Sequence, residues 1–555
     1  NSSTEAIADF EVDVNATGME KIKDISSQPR FVAITRKKQE NKPYAYYFAG
    51  DFNDYVSKRN FNRFLGADKV YKMLSYDNQG DISYFYWNFY NPFMSKILKD
   101  VEKENGARHK GKNEDSKSTT ASSRINNDKI EVQIDGKWQE IYLKALSLNA
   151  YKPGEKKYTR DYTYYESLVS ELVSLGANCI RAKDVMPAEF YRAIYQNNKN
   201  KDSSTVYLIQ SITAPDDLSA SDYLSNDGLA KWKEKLEAAV FAVHGDGSLK
   251  SSNNLDATSY FNDVSPYLIA YVIEPDINEK NAELILNSNP TFTYSGKYFA
   301  SSDTVSSLCA ELADIVQTKN NDTYGYKVPV SINVDANTLS SFKYSKGKVK
   351  YDLSNIVLNG DDKQYFFVSV DGALSSSAFK SNSKHYGGND YGTSFEKYLK
   401  DVKASVNLPL LVNGICVPTN TGSSTKEAQQ AEKLISALNS IDASGAMGGV
   451  INDLNDNWSA VSSKMYPFTV PLSNNYLWHD VADSAQTTGV VAVESPTPTV
   501  SNMEYFDDDR MQGMSVSANE SYLYINLRLL EDIDYSKEEF FVGIDTYQRN
   551  DGVFY

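Results

Sequence analysis

The sequence predicts an α/β protein built on a (β/α)8 TIM barrel, with a β-rich N-terminal domain before it and a partial C-terminal β-sandwich after it. Three observations predict this: helices and strands alternate in one short stretch, the alternation recurs until eight strands are counted, and both ends have β texture. The stretch is 164–211. Leu168, Val169, Leu172 and Leu175 fall at helical spacing, and Gly176 supplies the permissive residue at which a helix stops. Asn178-Cys179-Ile180-Arg181 reads as a strand, and Pro187 opens a second helix whose Phe190 and Ile194 share a face. Val206-Tyr207-Leu208-Ile209-Gln210 is the next strand. Short loops between such elements imply parallel strands joined by crossovers.

The totals bound the rest. A chain of 555 residues holds roughly two to four domains. With 41% apolar and 23% charged residues it has enough for packed cores. A net charge of −16 argues against nucleic acid or an anionic membrane as partner. No run approaches the ~18 apolar residues of a spanning helix. The sequence starts at Asn1 with no signal-like segment, so a processed or cloned fragment is expected. Cys179, Cys309 and Cys416 lack paired spacing and read as small buried hydrophobes rather than a disulfide or metal set. His109, His244, His385 and His479 are scattered, and there is no glycine-rich nucleotide loop, so neither metal nor cofactor is expected. The 40 tyrosines, with many Asn and Ser, suit a secreted or cell-surface bacterial protein.

Residues 1–98 form the β-rich domain. Phe31-Val32-Ala33-Ile34, Tyr44-Ala45-Tyr46-Tyr47-Phe48 and Ile82-Ser83-Tyr84-Phe85-Tyr86-Trp87 are aromatic or β-branched, as strands are. Their rings serve either a small core or sugar stacking, the core being the simpler use. Residues 99–128 turn to Lys, Glu, Asn and Ser, the composition of a charged linker open to proteases.

The barrel domain is 129–485. A hairpin of 130–134 with 138–141 turns at Asp135-Gly136 and would close the barrel floor. Strands are expected at 142–148, 178–181, 206–210, 267–273, 328–334, 365–370, 409–412 and 448–451. Helical faces lie between them: Leu229, Trp232, Leu236, Ala239 and Val243 before Gly245; Val305, Leu308, Leu312 and Ile315; Phe395, Tyr398, Leu399 and Val402; Ala431, Leu434, Leu438 and Ile441. Residues 486–555 revert to alternation, with Leu523, Ile525, Leu527 and Leu529 on one face and a further strand at 540–544. So short a sandwich leaves unpaired edges, from which a longer natural protein is expected.

Barrel enzymes carry reacting groups at the C-terminal strand ends. Those ends offer Arg181 and Asp184, Gln210, Glu274, Asp335, Asp371, Asn413 and Asp453. Retaining glycoside hydrolysis needs two carboxylates ~5–5.5 Å apart. Strand four offers Glu274; strand seven offers none.

Leu175-Gly176-Ala177-Asn178-Cys179-Ile180-Arg181, Phe190-Tyr191-Arg192-Ala193-Ile194-Tyr195 and Gly448-Gly449-Val450 resemble motifs of the glycoside hydrolase superfamily whose two glutamates end strands four and seven. More narrowly, residues 130–550, including Gly543-Ile544-Asp545-Thr546, resemble large surface-associated bacterial proteins with this barrel and a following β domain. The resemblance implies a barrel that binds glycan or a cell-surface component. It also marks departures. Strand seven of the family carries its nucleophile in Ala-Glu-Phe-Gly, and here Leu411-Val412-Asn413-Gly414 puts Gly414 at that place. The strand-four acid/base falls on Ile273 or, one residue on, Glu274. A His/Tyr pair expected on strand six is replaced by Val370-Asp371-Gly372, and Leu454 stands where a Trp platform ends strand eight. Two readings follow: a barrel that has lost retaining glycosidase activity and serves as a surface binding or structural module, or an active hydrolase that moved its carboxylates to Glu274 and Asp371. Nothing in the sequence sets an oligomeric state.

Overall fold

The computed structural model describes most of residues 120–532, chiefly excepting 420–426 and 461–483, and the backbone of three strands between residues 30 and 75. By internal contacts the chain forms two compact units, one of residues 1–148, 160–416 and 433–452, the other of 149–159, 417–432 and 453–555.

The first unit holds the barrel. Eight strands run β1 Leu143–Ser147, β2 Cys179–Lys183, β3 Tyr207–Thr213, β4 Leu268–Glu274, β5 Val330–Val334, β6 Phe366–Asp371, β7 Leu410–Ile415 and β8 Gly448–Ile451. Each pairs in parallel with its neighbours in sequence, and β8 closes on β1 through Val450 opposite Ala145. Parallel pairing demands crossovers, which the helices supply. Asp161 caps α1 (Tyr162–Ser174) by accepting from Thr163 N–H, and Tyr165, Leu168, Val169 and Leu172 are buried, while Leu175 at the C-cap is exposed. α2 (Ala188–Lys199) starts after Pro187 and buries Phe190 and Ile194. Ser225 caps α3 (Asn226–Val243). Further helices are α4 (Glu279–Ser288), α5 (Thr304–Tyr324), α6 (Ser377–Tyr386), α7 (Thr393–Val406) and α8 (Glu427–Ser444).

Three features depart from the expected alternation. α4 and α6 are extra helices in the loops after β4 and β6. The connection from β5 to β6 contains 3-10 turns and no α-helix among the described residues.

The floor is a three-stranded antiparallel sheet of Ser123–Asn126, Lys129–Ile134 and Lys137–Ile141. Its first strand lies inside the stretch read as linker. Ile125, Ile130 and Val132 pack with Leu143, Cys179, Ile209, Phe367 and Leu411 from the barrel strands. Ser122 Oγ and Ser123 Oγ donate to the backbone carbonyls of Leu268 and Ile269, satisfying acceptors at the start of β4.

The chain also forms an antiparallel sheet in which Arg30–Arg36 lies between Pro43–Ala49 and Val70–Ser75. In the second unit, Glu504–Tyr505, Met511–Ala518 and Leu523–Leu529 make a three-stranded antiparallel sheet. The strands expected at 82–87 and 540–544 lie outside the described residues. No helix among the described residues is long and apolar enough to cross a membrane.

Candidate functional site

Alternation along the strands decides which side chains enter the barrel. Leu143 and Ala145, Cys179, Ile209, Ala270 and Val272, Phe367 and Leu411 share the inner apolar core. Stepping two residues on from these brings Ser147, Arg181, Ser211, Glu274 and Asn413 inward at the C-terminal end, and two such steps from Phe367 pass Ser369 and reach Asp371. A polar layer therefore lies above an apolar one.

Arg181 organises that layer. It is 2% exposed, and its guanidinium spends its donors on four side chains. Nε donates to Ser211 Oγ at 2.7 Å, and one terminal nitrogen donates to Ser147 Oγ at 3.0 Å and Asn452 Oδ1 at 3.1 Å. The other pairs with Glu274 Oε1. Ser147 passes the chain on by donating to Asn452 Oδ1 at 2.7 Å. A buried charge is tolerable only with such a set of partners, so the network holds Arg181 and Glu274 in place.

Asn413 completes the pair's surroundings. Its side chain is inside the barrel, 5% exposed, and Nδ2 lies 3.5 Å from Glu274 Oε1. The amide orientation follows from the carboxylate, since the reverse would set Oδ1 against Oε1. Counting from the inward Leu411, position 413 points in, as expected of a strand-end site residue. Gly414, the place the motif gives the nucleophile, also faces the mouth, where a Cβ would lie 3.2 Å from Asp371 Oδ1. Here β7 bulges: Val412 pairs with Gly449 and Ile415 with Ile451, so Asn413 and Gly414 together face one residue of β8. Gly414 takes the left-handed conformation, φ 75°, that the bulge requires.

Asp371 ends β6 opposite Asn413. Its carboxylate is open to solvent in the mouth but hemmed in by protein, and it accepts from Ala373 N–H at 2.9 Å. Desolvation pushes its pKa up to about 6, against the Ala373 bond; Asp335 and Glu274 add to the rise and Arg181 opposes it. Asp335, after β5, accepts from Asn337 N–H and from Ser377 Oγ at 2.8 Å. Between the ends of β4, β5 and β6 a cavity of about 150 Å³ opens, lined by Asp276, Asn333, Asp335, Asp371, Ser377 and Tyr398 among others.

Three other predicted site residues lie elsewhere. Gln210 neighbours the inward Ser211, so it points out of the barrel, where Oε1 accepts from Tyr191 Oη on α2 at 2.7 Å and Nε2 donates to the Asp184 carbonyl. It fixes α2 to the sheet. Asp184, at φ 61°, accepts from Thr213 N and Oγ1 and pairs with Lys235 at 3.0 Å. It is a clamp between strand ends. Asp453 belongs to the second unit, where its carbonyl accepts from Val490 N–H. Ser147, Ser211 and Asn452, absent from the predicted set, are found by the same two-residue count. Leu454 is fully buried.

No protein-family model and no curated protein matches the chain. Among solved structures it is similar to an endo-laminarinase from Formosa Hel1_33_131, at 9% identity and a TM-score of 0.38, over 63% of this chain and 83% of that one. It is similar to a glycoside hydrolase family 5 mannosidase from Rhizomucor miehei at 9% identity and 0.37, over 68% and 95%. Gas2p of Saccharomyces cerevisiae, in complex with laminaritetraose and laminaripentaose, follows at 12% and 0.35, over 62% of each chain. These solved structures are glycoside hydrolases and related carbohydrate-active proteins. Likeness at this level assigns no activity, and the closed barrel stands on its own strand pairing.

Proposed function

We propose that this chain is a glycoside-hydrolase-like barrel that has lost retaining glycosidase activity and serves as a glycan-binding or structural module at a bacterial cell surface. One observation carries the reading: the strand-seven side chain facing Glu274 is the Asn413 amide. Double displacement needs a carboxylate there to attack the anomeric carbon and carry the glycosyl intermediate. An amide is uncharged and a poor nucleophile. Glu274 is itself committed to Arg181, which suits a fixed carboxylate better than a group that gives and takes a proton. The surface location rests on composition and on the family resemblance.

A broad chromogenic glycoside screen of the wild type beside Glu274→Gln tests it. No turnover above the variant is expected; turnover abolished by Glu274→Gln overturns the reading.

Asp371 favours a second reading. It is an accessible acid pushed up to about 6 at the barrel mouth, the disposition of a general base. Inversion requires such a base ~6.5–9.5 Å from the acid, with water between. Turnover lost in both Asp371→Asn and Glu274→Gln, with inverted product, selects this alternative.

A further inference from the structure

We infer that the barrel mouth takes an amino sugar, a carbohydrate bearing a primary ammonium group, in preference to neutral or acidic sugars. This rests on the glycan-binding reading above and names the ligand class for that site.

The first observation is an acceptor without a donor. Asn413 is 95% buried by its 5% exposure, its Nδ2 is turned to Glu274, and its Oδ1 has no hydrogen-bond partner. Leaving such a buried oxygen unmatched is unfavourable. Asp371, paired with Asn413 across the sheet, lines the adjoining cavity.

The second observation is one-sided charge. Glu274, Asp335 and Asp371 lie close enough for the first two to disfavour ionisation of the third. Arg181 is spent on Ser147, Ser211, Asn452 and Glu274. Lys235 is held by Asp184, and Lys183 at the end of β2 is exposed. Among the described residues neither Asp335 nor Asp371 has an ion-pair partner; their bonds go to Asn337, Ser377 and Ala373. The mouth therefore holds more negative charge than its own bases neutralise.

The third is size. The adjoining cavity, about 150 Å³, is smaller than the roughly 300–1,000 Å³ of a drug-sized site, so it suits one ring or a substituent rather than an oligomer. A compact metal ion is the poorer fit, because no three carboxylate, histidine or cysteine side chains among the described residues converge to hold one. An ammonium brings three donors on a ring whose hydroxyls supply more, and so spans acceptors spread round a cavity.

The test is calorimetric titration of the full chain with β-1,4-linked glucosamine oligomers, their N-acetylated counterparts and gluco-oligomers of equal length. Glucosamine oligomers are expected to bind about tenfold more tightly than either neutral series, as charge-assisted bonds outweigh neutral ones. Asp335→Asn and Asp371→Asn, each checked for folding by circular dichroism, are expected to reduce that preference several-fold. Equal or tighter binding of a neutral series overturns the charge preference and leaves the glycan-binding reading standing. Unchanged glucosamine binding in both variants assigns the attraction to the net charge of −16 and overturns the site. Silence from all three series overturns the inference. Turnover of any series bears instead on the loss of hydrolysis.

Discussion

The amide of Asn413 faces Glu274 Oε1 across 3.5 Å inside the barrel, and Arg181 pairs with the same oxygen. One basic, one acidic and one neutral side chain thus share the place where two carboxylates would be needed. The pair is balanced in charge, and its geometry is set by Ser147, Ser211 and Asn452.

Arg181→Met should destabilise the fold by about 3 kcal/mol, because breaking a buried pair leaves its partner uncompensated. The figure sits at the low end of such losses, since the Glu274 side chain is 17% exposed and water reaches it. Urea denaturation checks this. The double variant Arg181→Met/Glu274→Leu should recover much of the loss, having no orphan charge.

Gly414→Ala should cost about 1–2 kcal/mol, the penalty of a side chain in the left-handed region. The new Cβ would also lie 3.2 Å from Asp371 Oδ1, a tight approach. Denaturation midpoints measure it, and an unchanged midpoint would show that the bulge relaxes in the variant.

Asp371 makes stability depend on pH in a definite direction. Its folded pKa is raised to about 6, above the usual carboxylate value, so the folded state binds a proton more strongly than the unfolded one. Stability from this residue is greatest in acid and falls as pH rises through about 6. Asp456 is raised to about 6 as well, with desolvation the main cause, and adds the same sign. The difference between wild type and Asp371→Asn isolates one group. The variant should gain melting temperature at pH 7.5 and little at pH 3.5; a gain larger in acid would reverse the assignment.

Asp314 is the main tie of the 294–301 hairpin to α5. The buried carboxylate accepts from the N–H groups of Lys297, Tyr298 and Phe299, from Tyr294 Oη and from Thr318 Oγ1. Asp314→Ala should destabilise by about 2–3 kcal/mol through donors left unmatched. Hydrogen exchange should then rise first at those three amides.

The barrel was legible because its strands are short apolar runs set between helical faces. Cys179 and Leu410 begin their strands within two residues of the expected positions, and the Asp135-Gly136 turn marked the floor hairpin. α4 and α6 were missed because each is short, ten residues, with few buried apolar positions. The site was legible by location but not by facing. Gln210 carried a functional-looking amide, yet its neighbour Ser211 is the one turned inward. Facing on β7 required the bulge as well as a count from Leu411, because the bulge turns both Asn413 and Gly414 toward the mouth. That a strand-end base, Arg181 or Lys183, would pair with Glu274 was legible from their shared end of the barrel; the choice of Arg181 rests on facing, since Lys183 is exposed.

The central claim is that this barrel forms no glycosyl-enzyme intermediate. Intact-protein mass spectrometry after incubation with activity-based cyclitol and fluorosugar traps tests it most directly. The wild-type mass should stay unchanged across the panel, because position 413 presents an amide. A stoichiometric adduct mapped to Glu274, Asp371 or another carboxylate in the barrel mouth would contradict the account.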